Sequence, residues 1–355
     1  MHAIVQLVCV RVQPLVHCQF IMTARNIRFW MCATAIVFTA CSADSTQRVS
    51  QDIGLAQSEQ SQEQLDSQNS GSASPWLDEL NRLRKTGGLQ PVAENAALTR
   101  DCDAHARYLV EQGPATEPQF EAYKSAIGLG AHHEDPASPH YSAAGAECAA
   151  GGKEAMGVSQ SNDVAWGRDP INDLDGLFYD APFHRLSLLA PWATVAGYGT
   201  YGKYPQRVGT LALRGEGGIG SPLILFPTDG STVPLGQVHS FEAPDPLSSC
   251  PGYSLPIGLP ITVQLGSGYR GRMQSYSLTG PAGSIETCAF DWLTYQNPDA
   301  AIQEHARQLL RAFGAIVLIP RQPLANGVYK VAISTGRQNF AWSFAVAQSP
   351  SLVAR

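Results

Sequence analysis

The sequence predicts an α/β fold, in which a three-layer α-β-α sandwich is followed by a smaller all-β sandwich. Apolar residues at helical spacing come first, and two apolar strands at 195–201 and 208–213 close this part of the chain. Beyond a glycine-rich stretch at 215–220, short alternating segments between proline and glycine turns replace the helical pattern. This change of period predicts a second domain.

Three helical stretches are predicted in the first folded part. Ser74 and Pro75 are suited to open the first of them, and a double glycine ends it. The second runs from about Asn95 to Gln112, with apolar residues along one face. The third covers 172–189 and is interrupted at Pro182, whose ring cannot continue a helix from the preceding turn. Helices that flank a few late strands favour the layered arrangement.

The second part is predicted to be an antiparallel, Ig-like sandwich. Its predicted strands are 223–226, 261–265, 273–278, 315–319, 328–333 and 340–346, and a short helix is expected at 298–313. In the strand at 328–333, alternate residues Tyr329, Val331 and Ile333 share one apolar face. Such alternation is typical of strands that bury one face in a sandwich.

Four segments of different character divide the chain. They are a signal peptide with a lipobox-like end at 1–41, a disordered Ser/Gln-rich tether at 42–75, the α/β domain at 76–214 and the β-sandwich at 221–347. The tether contains no aromatic residue and cannot bury enough apolar area to fold.

The amino-terminal segment predicts export and lipid anchoring. Arg25 and Arg28 precede an apolar run, Phe29–Ala40, which is too short to span a bilayer. The run ends at Cys41 in a context that resembles a bacterial lipobox, so we expect lipidation of Cys41; the alternative is an ordinary signal peptide. The expected location is the cell envelope, with the lipid anchored in the outer membrane or at the cell surface.

Charge and cysteine content narrow the function classes. The net charge is −6 and no basic stripe follows Cys41, which argues against nucleic acid as a partner.

Four cysteines remain beyond Cys41, two in each predicted domain. Of three connectivities, only Cys102–Cys148 with Cys250–Cys288 keeps each disulfide within one domain. An oxidising compartment favours these bridges over free thiols.

Motifs within 76–214 resemble those of the CAP superfamily, which comprises cysteine-rich secretory proteins, antigen five and pathogenesis-related one. The matching segments are Leu80-Asn81-Arg82-Leu83-Arg84, Cys102–Leu109, His132-His133-Glu134-Asp135-Pro136, Ala181-Pro182-Phe183-His184-Arg185 and Val195–Gly199. Their order and spacing carry the resemblance, which implies an α-β-α sandwich with an open cleft. The second domain resembles Ig-like modules appended to bacterial members.

The resemblance implies a cleft lined by two histidines and two glutamates, which hold a divalent metal in eukaryotic members. His132 matches the first histidine and His184 the second, so we expect their rings within about 8 Å, close enough to share one metal ion or water. Glu147 is the candidate carboxylate, although it lies one place late, and Glu134 is the fallback. The fourth position has no clean match. A zinc ion on His132 and His184 is one interpretation, and two imidazoles that face water is the other.

The sequence favours a binding module over an enzyme. It contains no G-x-S-x-G elbow, no H-E-x-x-H motif and no P-loop. We therefore predict a non-catalytic module of the cell envelope that takes a small lipid, peptide or glycan in the CAP cleft. The alternative is a metal-assisted hydrolase that uses His132 and His184, and a structural or adhesion role led by the sandwich is the third hypothesis.

Overall fold

The computed structural model describes residues 74–150, 158–216, 222–239 and 242–348, together with two strands near the amino terminus. Those strands, Cys9–Val12 (β1) and Leu15–Cys18 (β2), form an antiparallel hairpin in a compact unit that covers residues 1–68. The predicted lipid attachment site, Cys41, and residues 42–73 of the predicted tether lie outside the described residues. Residues 69–355 form the second compact unit, which contains the elements described below.

The α-helices of this unit include those predicted from the sequence. They are Pro75–Thr86 (α1), Ala96–Gln112 (α2), Glu117–Ile127 (α3), Ala143–Ala149 (α4), Pro170–Asp175 (α5), Pro182–Leu188 (α6) and Ala300–Phe313 (α7). A 3-10 helix covers Gly128–His132, a π-helix covers Gly176–Asp180, and another 3-10 helix covers Pro246–Ser249. Among the described helices, none is long and apolar enough to cross a membrane.

The first region is built on a four-stranded sheet. Its strands are Ala93–Glu94 (β3), Val158–Ala165 (β4), Val195–Lys203 (β5) and Gln206–Glu216 (β6), in the order β3-β5-β6-β4. β3 runs parallel to β5, and the other pairs are antiparallel.

Helices cover both faces of this sheet, which confirms the three-layer fold. On one face, Trp76 of α1 stacks on Tyr198 of β5 with ring centroids 5.7 Å apart. On the other face, α2 approaches β5 so closely that side chains are excluded. A Cβ atom at Gly197 would lie 2.4 Å from the backbone of α2, and one at Gly199 would lie 2.0 Å from it. The glycines of this motif therefore permit the contact between α2 and the sheet.

The second region is rich in β-structure, as predicted. Its strands are Ile224–Phe226 (β7), Thr232–Val233 (β8), Gln237–Val238 (β9), Ile257–Gly258 (β10), Ile261–Gln264 (β11), Ser275–Gly280 (β12), Gly283–Ser284 (β13), Thr287–Asp291 (β14), Ala315–Pro320 (β15), Gly327–Ser334 (β16) and Asn339–Val346 (β17). They form the sheets β14-β15-β11-β7 and β13-β12-β16-β17-β8 and the pair β10-β9. The helix expected at 298–313 is α7. The Ig-like assignment stays a prediction.

The two regions share one hydrophobic core. Phe183 of α6 packs against Phe290 and Tyr295, with ring centroids 6.2 and 5.5 Å apart. The fully buried Arg185 donates a hydrogen bond to the carbonyl oxygen of Pro260 at 2.8 Å. Because one compact unit contains both regions, the boundaries at 76–214 and 221–347 stay a prediction.

Both predicted disulfides are confirmed. Cys102–Cys148 joins α2 to α4, and Cys250–Cys288 joins the turn after Pro246–Ser249 to β14. Each bridge lies within one region, as predicted.

Candidate functional site

Two histidines from separate motifs lie side by side. His132 ends the 3-10 helix after α3, and His184 lies in the first turn of α6. Their ring centroids are 6.0 Å apart and their planes meet at 32°, a separation within the range expected from the sequence. Both residues are partly exposed, and the side chain of His184 retains 12% of its accessible surface.

His132 is oriented by Asn162 of β4. Its Nδ1 atom lies 3.0 Å from Oδ1 of Asn162, whose own Nδ2 donates to the carbonyl oxygen of Leu211 at 3.4 Å. Oδ1 can only accept, so His132 carries its proton on Nδ1 and leaves a lone pair on Nε2. Burial, together with the charge of the neighbouring His184, lowers the pKa of His132 to about 3. The ring is therefore neutral at neutral pH.

His184 is oriented by Glu242, a residue of the second region. Its Nδ1 atom donates to Oε2 of Glu242 at 2.7 Å. The same carboxylate accepts hydrogen bonds from the backbone N–H groups of Phe183 and His184, at 2.8 and 3.0 Å. Burial lowers the pKa of His184, but the hydrogen bond and charge of Glu242 and the charge of Asp163 outweigh it, so the net shift is upward.

A second carboxylate, Asp163 of β4, anchors α6 behind the ring of His184. The hydroxyl group of Ser187 lies 2.6 and 2.5 Å from the two oxygens of Asp163, and 3.0 Å from the carbonyl oxygen of His184. Burial raises the pKa of Asp163 to about 6, although the charge of His184 and the hydrogen bond from Ser187 act in the opposite direction. The charges of Asp163 and Glu242 therefore both favour the protonated form of His184.

The outward nitrogen of each ring is available to a ligand. In both histidines Nδ1 binds an inner partner, and Nε2 lies on the other side of the ring. Neither Nε2 atom has a hydrogen-bond partner within the part of the chain that the structure describes. The arrangement can therefore bind a polar group through the two Nε2 atoms.

The two carboxylates predicted for the cleft have other partners. Glu147 lies on α4 and forms an ion pair with Arg214 at 2.7 Å. Because the segment is a helix, the offset by one residue rotates the side chain by about 100°. Glu134 is buried and accepts hydrogen bonds from His105 and from the N–H group of Ser142. The cleft role of Glu147 stays a prediction.

The residues around His132 and His184 do not fit a zinc centre. A catalytic zinc ion takes three protein ligands and keeps one open position. Among residues 74–150, 158–216, 222–239 and 242–348, no group of three or more His, Cys, Asp or Glu could hold a metal ion. The carboxylate beside His184, that of Glu242, already accepts three hydrogen bonds. The zinc site predicted at His132 and His184 therefore lacks a third protein ligand.

Sequence reasoning missed Asn162, Asp163 and Glu242. The first two lie on β4, whose polar segment does not show an apolar strand pattern. Glu242 lies 58 residues beyond His184, in a loop that no motif marks. The sequence offered one signal for a further carboxylate: the fourth position of the CAP pattern had no match in the first region.

The family comparison agrees with the motifs. Residues 77–211 match the CAP family, described as the cysteine-rich secretory protein family. No curated protein matches the chain significantly. Among solved structures, the chain is similar to PcoC, a copper resistance protein from Escherichia coli, at 14% identity over 35% of this chain and 95% of that one, with a TM-score of 0.19. Residues 77–211 therefore form a CAP domain, a type of domain that is typically extracellular.

Proposed function

We propose that this protein is an exported, lipid-anchored CAP protein of the cell envelope that binds a small lipid, peptide or glycan at His132 and His184 without catalysing a reaction. The observation that carries the proposal is the pair of adjacent, partly exposed imidazoles, each fixed by a hydrogen bond at Nδ1 and each with an Nε2 atom that has no partner among the described residues. Polar groups that are already held in place lose little conformational entropy when a ligand binds.

A hydrolytic function has less support from the same residues. The hydroxyl group of Ser187 bonds to Asp163 and not to an imidazole, so no histidine activates it as a nucleophile. The four cysteines beyond Cys41 are all in disulfides and offer no thiolate. A metal-assisted reaction would need the third ligand that the described residues lack.

The location in the envelope is supported by two independent features. Disulfides form and persist in oxidising compartments, and the structure contains two of them. Cys41 ends an apolar run in a lipobox-like context. The proposed partners are thus a membrane, reached through a lipid on Cys41, and a ligand from the envelope, with no role for nucleic acid.

Native mass spectrometry of the full chain recovered from membranes tests the proposal. The probes are phosphatidylethanolamine, a disaccharide-tetrapeptide of peptidoglycan and a tetramer of N-acetylglucosamine. We expect one of them to bind the wild type and not the His132→Asn/His184→Asn variant. Asparagine keeps an N–H group near the position of Nδ1 and removes Nε2, so the inner hydrogen bonds are retained.

His140→Asn is the matched control, because His140 is exposed and pairs with Glu111 outside the His132–His184 pair. Equal binding by the wild type and the double variant would refute the site, and binding of none of the three probes would refute the ligand classes. The same spectra read the mass at Cys41: a chain without a lipid there would contradict the anchor.

A further inference from the structure

The second region makes direct contacts with the helix that carries His184. Next to His184, Arg185 donates to the carbonyl oxygen of Pro260, and the carbonyl oxygen of Leu186 accepts from Nε2 of Gln264 at 3.5 Å. α6 is therefore held between the sheet of the first region and strands of the second. The position of His184 depends on both.

Glu242 makes the most specific of these contacts. Its side chain is almost fully buried, with 2% of its surface exposed. Ala181, which precedes α6, has no side chain that can cap the helix, and the carboxylate of Glu242 accepts the hydrogen bonds of two backbone N–H groups there. A residue 58 positions away thus fixes the first turn of the helix on which His184 lies.

The same carboxylate determines which nitrogen of His184 has no partner within the described part of the protein. An ionised carboxylate only accepts hydrogen bonds, so the nitrogen that faces it carries a proton. The tautomer of a histidine follows from the hydrogen bond that one of its nitrogens makes. With Nδ1–H directed at Glu242, Nε2 is the atom that remains for a ligand.

We infer that the carboxy-terminal region completes the CAP site, with Glu242 as the positioning residue that fixes the orientation and tautomer of His184. Glu242 lies outside residues 77–211 and contacts the site only from the inner side of His184. That the site binds a ligand is taken from the proposed function. The role of Glu242 in orienting His184 does not depend on it.

The test compares full-length Glu242→Gln and Glu242→Asp with the wild type by ¹⁵N NMR of the histidine side chains. We expect Glu242→Gln to lower the pKa of His184 by about 1 unit, because a charged hydrogen-bond partner is lost. We also expect the ¹⁵N shifts to show a mixture of Nδ1–H and Nε2–H tautomers. Glu242→Asp keeps the charge, so its titration of His184 should lie closer to that of the wild type.

Glu286→Gln is the matched control, since Glu286 is an exposed carboxylate of the same region that pairs with Arg321. It should leave His184 unchanged. Thermal unfolding of each variant shows whether it is folded, and Glu242→Asp still provides the comparison if Glu242→Gln does not fold. An unchanged tautomer and titration of His184 in a folded variant would overturn the inference. These NMR measurements are made without a ligand. Their failure can therefore be distinguished from failure of the proposed binding function, which is tested by adding the three probes.

Discussion

Two histidine–carboxylate pairs of this protein, His105–Glu134 and His184–Glu242, differ in whether Nε2 of the histidine has a hydrogen-bond partner. His105 is fully buried, and both of its nitrogens are bonded: Nδ1 to Glu134 at 3.1 Å and Nε2 to the carbonyl oxygen of Ala131 at 2.9 Å. His184 bonds Glu242 through Nδ1 at 2.7 Å, and its Nε2 has no partner among the described residues. A histidine with both nitrogens bonded stabilises the fold, whereas one with an open nitrogen can bind a ligand.

The pairs also differ in the way they are assembled. His105 and Glu134 are 29 residues apart and both lie in the first region. His184 and Glu242 are 58 residues apart and meet only because the second region packs on α6. The first pair is therefore a property of the CAP domain, and the second is a property of the whole compact unit.

The largest expected effect concerns stability. We expect Glu134→Ala to lower the free energy of unfolding by about 3–5 kcal/mol, because it leaves Nδ1 of the buried His105 and the N–H group of Ser142 without a partner. Glu242→Ala should cost less, about 2–3 kcal/mol, because water beside the partly exposed His184 can replace part of the three hydrogen bonds that Glu242 accepts. Urea unfolding followed by circular dichroism measures both. If Glu242→Ala cost as much as Glu134→Ala, the division into a structural and a binding pair would be wrong.

A smaller effect is expected in the pH dependence of stability. The pKa of His132 falls from 6.5 to about 3 on folding. Between these values the unfolded chain binds a proton and the folded chain does not, so stability decreases as the pH falls from 6.5 towards 3. Asp163, whose pKa is raised from 3.8 to about 6, acts in the opposite direction, because its folded form binds the proton first as the pH falls.

The variant His132→Asn isolates the contribution of this histidine. Between pH 7 and pH 5, we expect it to lose less stability than the wild type, by on the order of 1–2 kcal/mol. Urea unfolding at the two pH values gives the difference, and His133→Asn, at an exposed neighbour, is the control. A variant that loses as much stability as the wild type would show that His132 is not held neutral by the fold.

The sequence predicted the elements whose apolar residues recur with a regular period. α2 begins where Asn95 caps it, and α6 begins at Pro182, as the motifs indicated. β4 was missed because it carries Gln160 and Asn162, whose side chains bond to the backbone of α4 and to His132. A strand that serves a site in this way does not alternate as a core strand does.

The site was predictable only in part, for a related physical reason. His132 and His184 belong to motifs with a fixed place in the CAP fold, so their proximity followed from the resemblance. Glu242 reaches α6 through the packing of two regions, and no periodicity or spacing in the sequence encodes that contact. The disulfide Cys250–Cys288 followed from counting cysteines, although β14, which carries Cys288, was not predicted.

The most direct test of the binding site is a ¹⁵N NMR titration of the full chain that resolves the nitrogens of His105, His132 and His184. The three probes are phosphatidylethanolamine, the disaccharide-tetrapeptide and the N-acetylglucosamine tetramer. We predict that one of them shifts the Nε2 signals of His132 and His184 and leaves both nitrogens of His105 unchanged, since those are already bonded within the protein. Equal shifts at all three histidines, or no shift at His132 and His184 with any probe, would contradict the account.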